Sequence, residues 1–340
     1  MTSRERMYHT LEFCNYTGRA PQNLWTLPWT ETNHPKQLQR IRKEFPSDID
    51  DCRGVAYSQR AKTQGDPFAP GLYIDEWGCR FQNVHPGIIG EVKEPIVSEE
   101  DEEWEDTTQI HIPVEELTFD PDTANAYCKG SDCFILAGCA LRPFERLQFI
   151  RGTEQLYMDL VTQPKGMLRF IDRLHAFYCE QAERWCKTQV DAVVIYDDWG
   201  AQNSMLISPA TWRQLFKPLY KAYAEIAHGH GKKILMHSDG YIADIYPDLI
   251  EIGIDAVNSQ LFCMGIDKLK PYSGQITFWG EIDRQHLLPN GTLEQIHQAV
   301  ALVRENLWHN GGCIAQCEFG PGANPENVYQ VFHSWQDLAK

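Results

Sequence analysis

Two rhythms of apolar residues alternate along the second half of the chain. Short continuous apolar runs mark strands buried on both faces, and stretches with an apolar residue every third or fourth position mark helices with one inward face. The runs are Asp132-Cys-Phe-Ile-Leu-Ala137, Asp191-Ala-Val-Val-Ile-Tyr196, Lys233-Ile-Leu-Met-His237, Asp255-Ala-Val-Asn258, Ile276-Thr-Phe-Trp-Gly-Glu281 and Cys313-Ile-Ala-Gln-Cys317. Each predicts a strand. A long helix is predicted from about Lys165 to Cys186, with Met167, Phe170, Leu174, Phe177 and Trp185 inward. Ser208 as N-cap and Pro209 at the first helical position open the next one, which Gly229 and Gly231 stop. Another covers Ile242 to Ile252. Thr292 and Gln295 form a capping box before the stripe Leu293, Ile296, Val300, Val303 and Leu307. Asn324-Pro325 opens a last helix, to about Leu338.

Repeated βα units imply parallel strands joined by right-handed crossovers. One or two further strands near Gln22 to Leu27 bring the set toward eight. The expected fold is an α/β TIM (β/α)8 barrel with an elaborated N-terminal segment, and the alternative is a doubly wound open sheet. Residues 1–340 read as a single domain. Residues 40–130 fit the βα rhythm poorly and are expected to be an insertion or lid-like elaboration. Within them, Ser98-Glu-Glu-Asp-Glu-Glu-Trp-Glu-Asp106 reads as a solvated acidic loop. Asp75-Glu-Trp-Gly-Cys79 is the piece most suggestive of shaping a pocket.

The net charge of −16 argues against nucleic acid or an anionic membrane as partner. Apolar runs fall short of a membrane span, and the N-terminus lacks the apolar core of a signal peptide. Eleven cysteines, an odd number, are scattered without a tight framework, which predicts reduced thiols in a cytoplasmic protein. Glycine-rich dinucleotide and phosphate loops, a nucleophile elbow and Cys-x-x-Cys are all missing, so a nucleotide-dependent reaction is disfavoured.

Polar residues repeatedly follow the apolar runs, at the strand ends where barrels do chemistry. They are Asp197 and Asp198, His237 and Asp239, Asn258 and Gln260, Glu281 and Asp283, and Cys317 and Glu318. An imidazole, a carboxylate and a thiolate can hold Zn²⁺ and leave a fourth position open. His237, Asp239 and Cys317 are therefore the expected metal ligands, with Glu281 or Glu318 as alternatives to Asp239. Asp197, Asp198 and Glu281 are the catalytic candidates. Tyr196, Trp199, Asn258 and Gln260 are expected to contact substrate. Each also has a structural reading: a hydrogen-bonded histidine, an Asp-Gly turn, a packed cysteine, an aspartate capping a helix.

From about Leu136 onward the chain resembles the uroporphyrinogen decarboxylase superfamily. The resemblance rests on Ile195-Tyr-Asp-Asp-Trp-Gly200 with Ser208-Pro209, Leu235-Met-His-Ser-Asp-Gly240, Gly253-Ile-Asp-Ala-Val-Asn258, Trp279-Gly-Glu-Ile-Asp283 and Pro321-Gly-Ala-Asn-Pro-Glu-Asn-Val328. It implies a TIM barrel. The acid-gripping arginine motif of the true decarboxylases has no counterpart in Tyr16-Thr-Gly-Arg-Ala-Pro21. The motif pattern is closer to the corrinoid-dependent methyltransferases of the superfamily, which hold zinc with His-x-Cys and a later Cys. That resemblance implies His237 and Cys317 as ligands, with Asp239 standing where the family has a thiolate. A carboxylate there makes a harder site. It further implies transfer of a methyl group between a small, methoxylated donor and a corrinoid (cobalamin) carried by a partner protein, with zinc activating the substrate. The alternatives are a metal-independent lyase on a carboxylated substrate, with Arg142, Arg146, Arg151 and Arg284 as the arginines to watch, or a non-catalytic tetrapyrrole- or corrinoid-binding protein.

Overall fold

A computed structural model describes residues 1–57 and 62–339. Six strands form one parallel sheet: β2 (Ile49–Asp51), β6 (Phe134–Leu136), β7 (Ala192–Tyr196), β8 (Lys233–Ser238), β9 (Ala256–Ser259) and β10 (Thr277–Gly280), in the order β10-β9-β8-β7-β6-β2. The sheet curls into a TIM-like half-barrel, with helices packed against its outer face. A separate parallel pair joins β1 (Gln22–Thr26) to β11 (Ala315–Phe319). Isolated parallel bridges, Phe278 with Cys313 and Glu281 with Gln316, tie this pair to the β10 edge. At the other edge, the Asp48 amide donates to the Gln22 carbonyl at 2.7 Å.

Strand residues alternate between two apolar clusters, as the two-residue period of a strand requires. Phe134, Leu136, Ala192, Val194, Leu235, Ala256 and Ile314 fill the concave interior. Val193, Ile195, Ile234, Met236, Val257, Phe278 and Cys317 face the helices. Register then sets a single level across four strands: Tyr196 opposite His237, His237 opposite Asn258, Asn258 opposite Trp279.

The N-terminal helix Ser3–Leu11 starts on a capping box of Thr2 and Glu5 and sends Met7 and Leu11 into that interior. Arg6 pairs with buried Asp48, and Arg4 with Asp191 at 3.0 Å. These contacts fasten the helix beneath the sheet.

Part of the stretch 40–130 departs from its reading as an insertion, since β2 joins the parallel sheet. Ile49-Asp-Asp51 carries a single apolar residue, so it lacks the run that marks the other strands. Further along, β3 (Gly71–Ile74), β4 (Arg80–Asn83) and β5 (Glu91–Glu94) form an antiparallel sheet. Asp75 closes the turn after β3, its Oδ1 accepting from the Trp77 and Cys79 amides at 3.0 and 2.8 Å, with Gly78 at φ +88°. Arg146, buried on the helix Pro143–Arg151, pairs with Asp75 and lies 4.7 Å over the Trp77 ring. The acidic loop is pinned to the body at Ser98, whose carbonyl accepts from Arg151, and at Trp104. Buried Trp104 donates its Nε1 proton to Asp159 at 2.8 Å, a carboxylate that also holds Arg151 at 2.6 Å.

Candidate active site

His237 points from the end of β8 into the concave interior, with its ring 5.0 Å from that of Trp25 and 6.1 Å from that of Tyr196. Asn258, wholly buried, donates its amide proton to the Trp279 carbonyl at 2.6 Å. Its Oδ1 is therefore an acceptor and takes the Nδ1 proton of His237 at 2.7 Å. That fixes the ring, and Nε2 is left facing Asp198 at 3.4 Å and Asp239 at 4.0 Å. Asp198, His237 and Asp239 offer ligand atoms all within 4.8 Å of one another. Burial works against charge on His237, but Asp198 and Asp239 outweigh it and raise its pKa above the ordinary imidazole value.

A second group adjoins the first. Arg284, just past β10, binds Asp239 through Nη2, Glu318 through Nη1 at 3.1 Å, and Glu281 through Nε at 3.5 Å. Burial opposes its charge, while the three carboxylates hold it firmly protonated. Glu281 is 2 % exposed, and neither of its oxygens has a hydrogen-bond partner among the described residues. Burial drives its pKa up to about 7 against the pull of Arg284. Burial also raises Glu318. Asp239 Oδ1 is buried and has no hydrogen-bond partner among the described residues, while Oδ2 is engaged by Arg284. A buried carboxylate oxygen left without a donor is costly, so a cation or a proton is the natural complement of this position.

The backbone around the site is tightly built. Gly240, at φ +73°, lets the turn after Asp239 pass against the Gly200 carbonyl, where a Cβ has no room. The Asp239 amide donates to Asp198 Oδ1 at 2.8 Å, which couples the ends of β7 and β8.

Residues 76–338 match the uroporphyrinogen decarboxylase (URO-D) family. The chain belongs to that family. In structure it is similar to a methyltransferase from Methanosarcina mazei, with a TM-score of 0.65 at 13 % identity and full coverage of both chains, a likeness of fold. An IOLI protein with a bound zinc atom is a fainter likeness, with a TM-score of 0.34 and 15 % identity over 68 % of this chain and 84 % of that one. Among curated proteins none matches.

In this URO-D chain, alternation along the strands decides which expected residues reach the mouth. Asp198, His237, Asp239, Glu281 and Glu318 come together with Tyr196. Cys317 does not. It lies between Gln316 and Glu318 on β11, so its side chain faces the helix layer, wholly buried, and burial pushes its thiol pKa well up. Its expected role as a ligand is corrected on that ground, and Glu318 is the residue of β11 that faces the site.

Asp197 and Trp199 point outward for the same reason. Asp197 accepts from the Phe144 and Glu145 amides at 3.1 and 2.8 Å and from the Tyr220 hydroxyl at 2.6 Å, so it anchors a helix start and is not a catalytic group. Trp199 stacks on Phe144 at 4.0 Å and donates to Tyr220, so it packs the helix layer and does not wall the pocket. Asn258 orients His237 with an amide whose groups are both engaged and is not a substrate contact. Gln260 lines a small pocket of about 70 Å³ beside Glu281 and Arg284.

Arg284 as the hub of three acids is the residue whose role the sequence reading lacks, since Asp283-Arg284 looks like an ordinary charged turn. Trp25, which packs against His237, is also outside that reading. Among the arginines to watch, Arg142 pairs with Glu145 at 3.0 Å, Arg146 with Asp75, Arg151 with Asp159, and Arg284 with its three acids. Every one of the four already has a carboxylate.

Proposed function

We propose that this protein is a methyltransferase that moves a methyl group between a small methoxylated donor and a corrinoid carried by a partner protein. The observation that carries this reading is the convergence of His237 Nε2, Asp198 and Asp239 at the strand ends, with Asp239 Oδ1 buried and lacking a donor. In this reading eight parallel strands complete the barrel, residues 40–130 other than β2 contribute a lid-like elaboration to one domain, and the partner docks over the mouth. The protein works in the cytoplasm, without membrane or nucleic acid. No helix among the described residues is long and apolar enough to cross a membrane.

His237, Asp239 and Asp198 would hold the zinc ion, with Glu318 or Glu281 as the alternative carboxylate. The donor set fits, because three protein ligands with one open position is the pattern of catalytic zinc, and oxygen-rich ligands favour a hard, Lewis-acidic ion. When bound, zinc supplies Lewis acidity to an ether oxygen. The residues of the chain do the rest. Asn258 keeps His237 Nδ1 protonated and Nε2 turned to the site. Arg284 holds Asp239 by Oδ2, which leaves Oδ1 for the ion. Glu281, titrating near neutrality, holds a proton that the departing oxygen can take. Tyr196 and Gln260 flank the substrate. The lyase alternative is less favoured, because Arg142, Arg146, Arg151 and Arg284, the arginines it would draw on, are each already paired.

Metal analysis of the purified protein tests the assignment. Wild type and Cys317→Ala are expected to carry near-stoichiometric zinc, and His237→Ala and Asp239→Ala to lose it together with methyl transfer to a corrinoid protein. Full zinc in His237→Ala would remove the basis of the reading.

A further inference from the structure

Gln316 stands on β11 between Ala315 and Cys317, whose side chains join the cluster on the helix side. Its own side chain therefore faces the concave interior, as that of Ile314 does. It is wholly buried, and neither Oε1 nor Nε2 has a hydrogen-bond partner among the described residues. A primary amide in that state is costly, because it has given up water without replacing it.

The neighbours of Gln316 narrow what can answer it. On β1 it lies opposite Asn23. Asn23 is engaged at both ends: its amide donates to Ser47 at 3.2 Å, and its Oδ1 takes the indole protons of Trp25 at 2.7 Å and Trp279 at 3.1 Å. Along β11, Ile314 is apolar and Glu318 is held by Arg284. On the other side, the bridge of Glu281 with Gln316 sets these two side chains next to one another on the same face. Glu281 is likewise buried, with both oxygens unpartnered among the described residues. Two adjacent side chains thus carry four buried polar atoms without partners. Glu281 is turned to the wall of the small pocket, beside Gln260 and Arg284. Neighbouring strands stand about 4.8 Å apart, a gap that two side chains of this length close by rotation between staggered positions.

We propose that Gln316 is the positioning residue for Glu281: its amide N–H holds the carboxyl in an inner position, from which Glu281 turns out to the pocket wall. The amide proton finds an acceptor there in either protonation state of the carboxyl. Gln316 itself does not touch substrate. Its consequence for turnover rests on the reading of Glu281 as the proton donor, while the pairing is tested on metal-free protein without any reaction.

A double-mutant cycle of Glu281→Met and Gln316→Met, followed by chemical denaturation of the metal-free proteins at one fixed pH, tests the pairing. Removing one member strands the other, and removing both does not. The unfolding equilibrium constants should therefore be coupled by roughly tenfold. Additive losses would overturn the pairing. Infrared spectra at the same pH supply a readout that packing alone does not move. The carboxyl band lost in Glu281→Gln should shift in Gln316→Met, and an unmoved band would overturn the pairing as well. Gln316→Leu repeats each comparison with a branched side chain. In methyl transfer, Gln316→Met should lower kcat roughly tenfold at unchanged KM, as expected of a group outside the substrate site. An unchanged kcat would overturn the positioning role. If the wild type transfers no methyl group, the proposed function fails, and the cycle and the infrared band still decide the pairing.

Discussion

At the scale of single residues, Glu281 sets a pH dependence whose sign is unusual for a carboxylate. Its folded pKa, about 7, lies above the ordinary value of 4.5. The folded state therefore binds more protons than the unfolded chain between those two values, and stability contributed by this group falls as pH rises from 4.5 to 7. Glu281→Gln removes the loss, so its stability relative to wild type should climb across that window, by on the order of 3 kcal/mol at the upper end. Chemical denaturation of the metal-free proteins at a series of pH values checks this, and parallel stability curves would refute it. Cys317 offers a contrasting test. A hydroxyl in its buried, apolar position has no evident partner, so Cys317→Ser should cost roughly 1–3 kcal/mol while zinc content stays at the wild-type level. The strand-end polar residues are legible in the sequence as a set, because buried apolar runs stop at them. Which member of each pair faces the mouth is not, since it depends on the register between strands. Once His237 is known to point inward, the pairing places Tyr196 and Asn258 inward too, alternation turns Asp197 and Trp199 outward, and the bridge of Glu281 with Gln316 turns Cys317 outward.

At the scale of elements, the helix Pro143–Arg151 has no side-chain cap of its own and takes one from another strand. Asp197 satisfies two of its first amides, and buried Tyr220 donates to the same carboxylate. Asp197→Ala leaves these donors unpaired in a dry layer and should cost about 3–5 kcal/mol, read as a lower thermal midpoint. An unchanged midpoint would mean the helix is held by packing alone. Helix starts are the elements easiest to read in advance. Ser208 bonds the Thr211 amide at 3.0 Å, and Thr292 and Gln295 form the expected box. The stripe after Ser208 nevertheless divides into the helices Pro209–Leu215 and Lys217–Gly229. Pro218 explains the division, because it has no N–H and crowds the carbonyl four residues earlier. Its apolar spacing alone runs straight through the break. The strand β2 escapes notice for the opposite reason, having two aspartates where a run is expected.

At the scale of the whole molecule, the antiparallel sheet β3–β5 is joined to the rest partly through the buried Arg146–Asp75 pair. Breaking such a pair leaves one charge uncompensated, at about 3–5 kcal/mol. Asp75→Ala should therefore raise amide exchange across Gly71–Glu94, with β7 to β9 remaining protected and zinc unchanged. Uniform protection would show that the sheet is held by other contacts. This arrangement is the least legible in the sequence, because Asp75 and Arg146 are far apart in the chain and nothing local announces their meeting. Long-range closure has a further result for how the molecule comes into being. The strand Gln22–Thr26 finds its partner in Ala315–Phe319, almost at the other end of the chain. During synthesis on a ribosome, the early strand must wait, unpaired on that side, until Ala315–Phe319 has emerged. A release of the chain before Phe319 would leave both edges of the curled sheet exposed. Chains that stop before Ala315 should therefore yield aggregates, not smaller folded proteins.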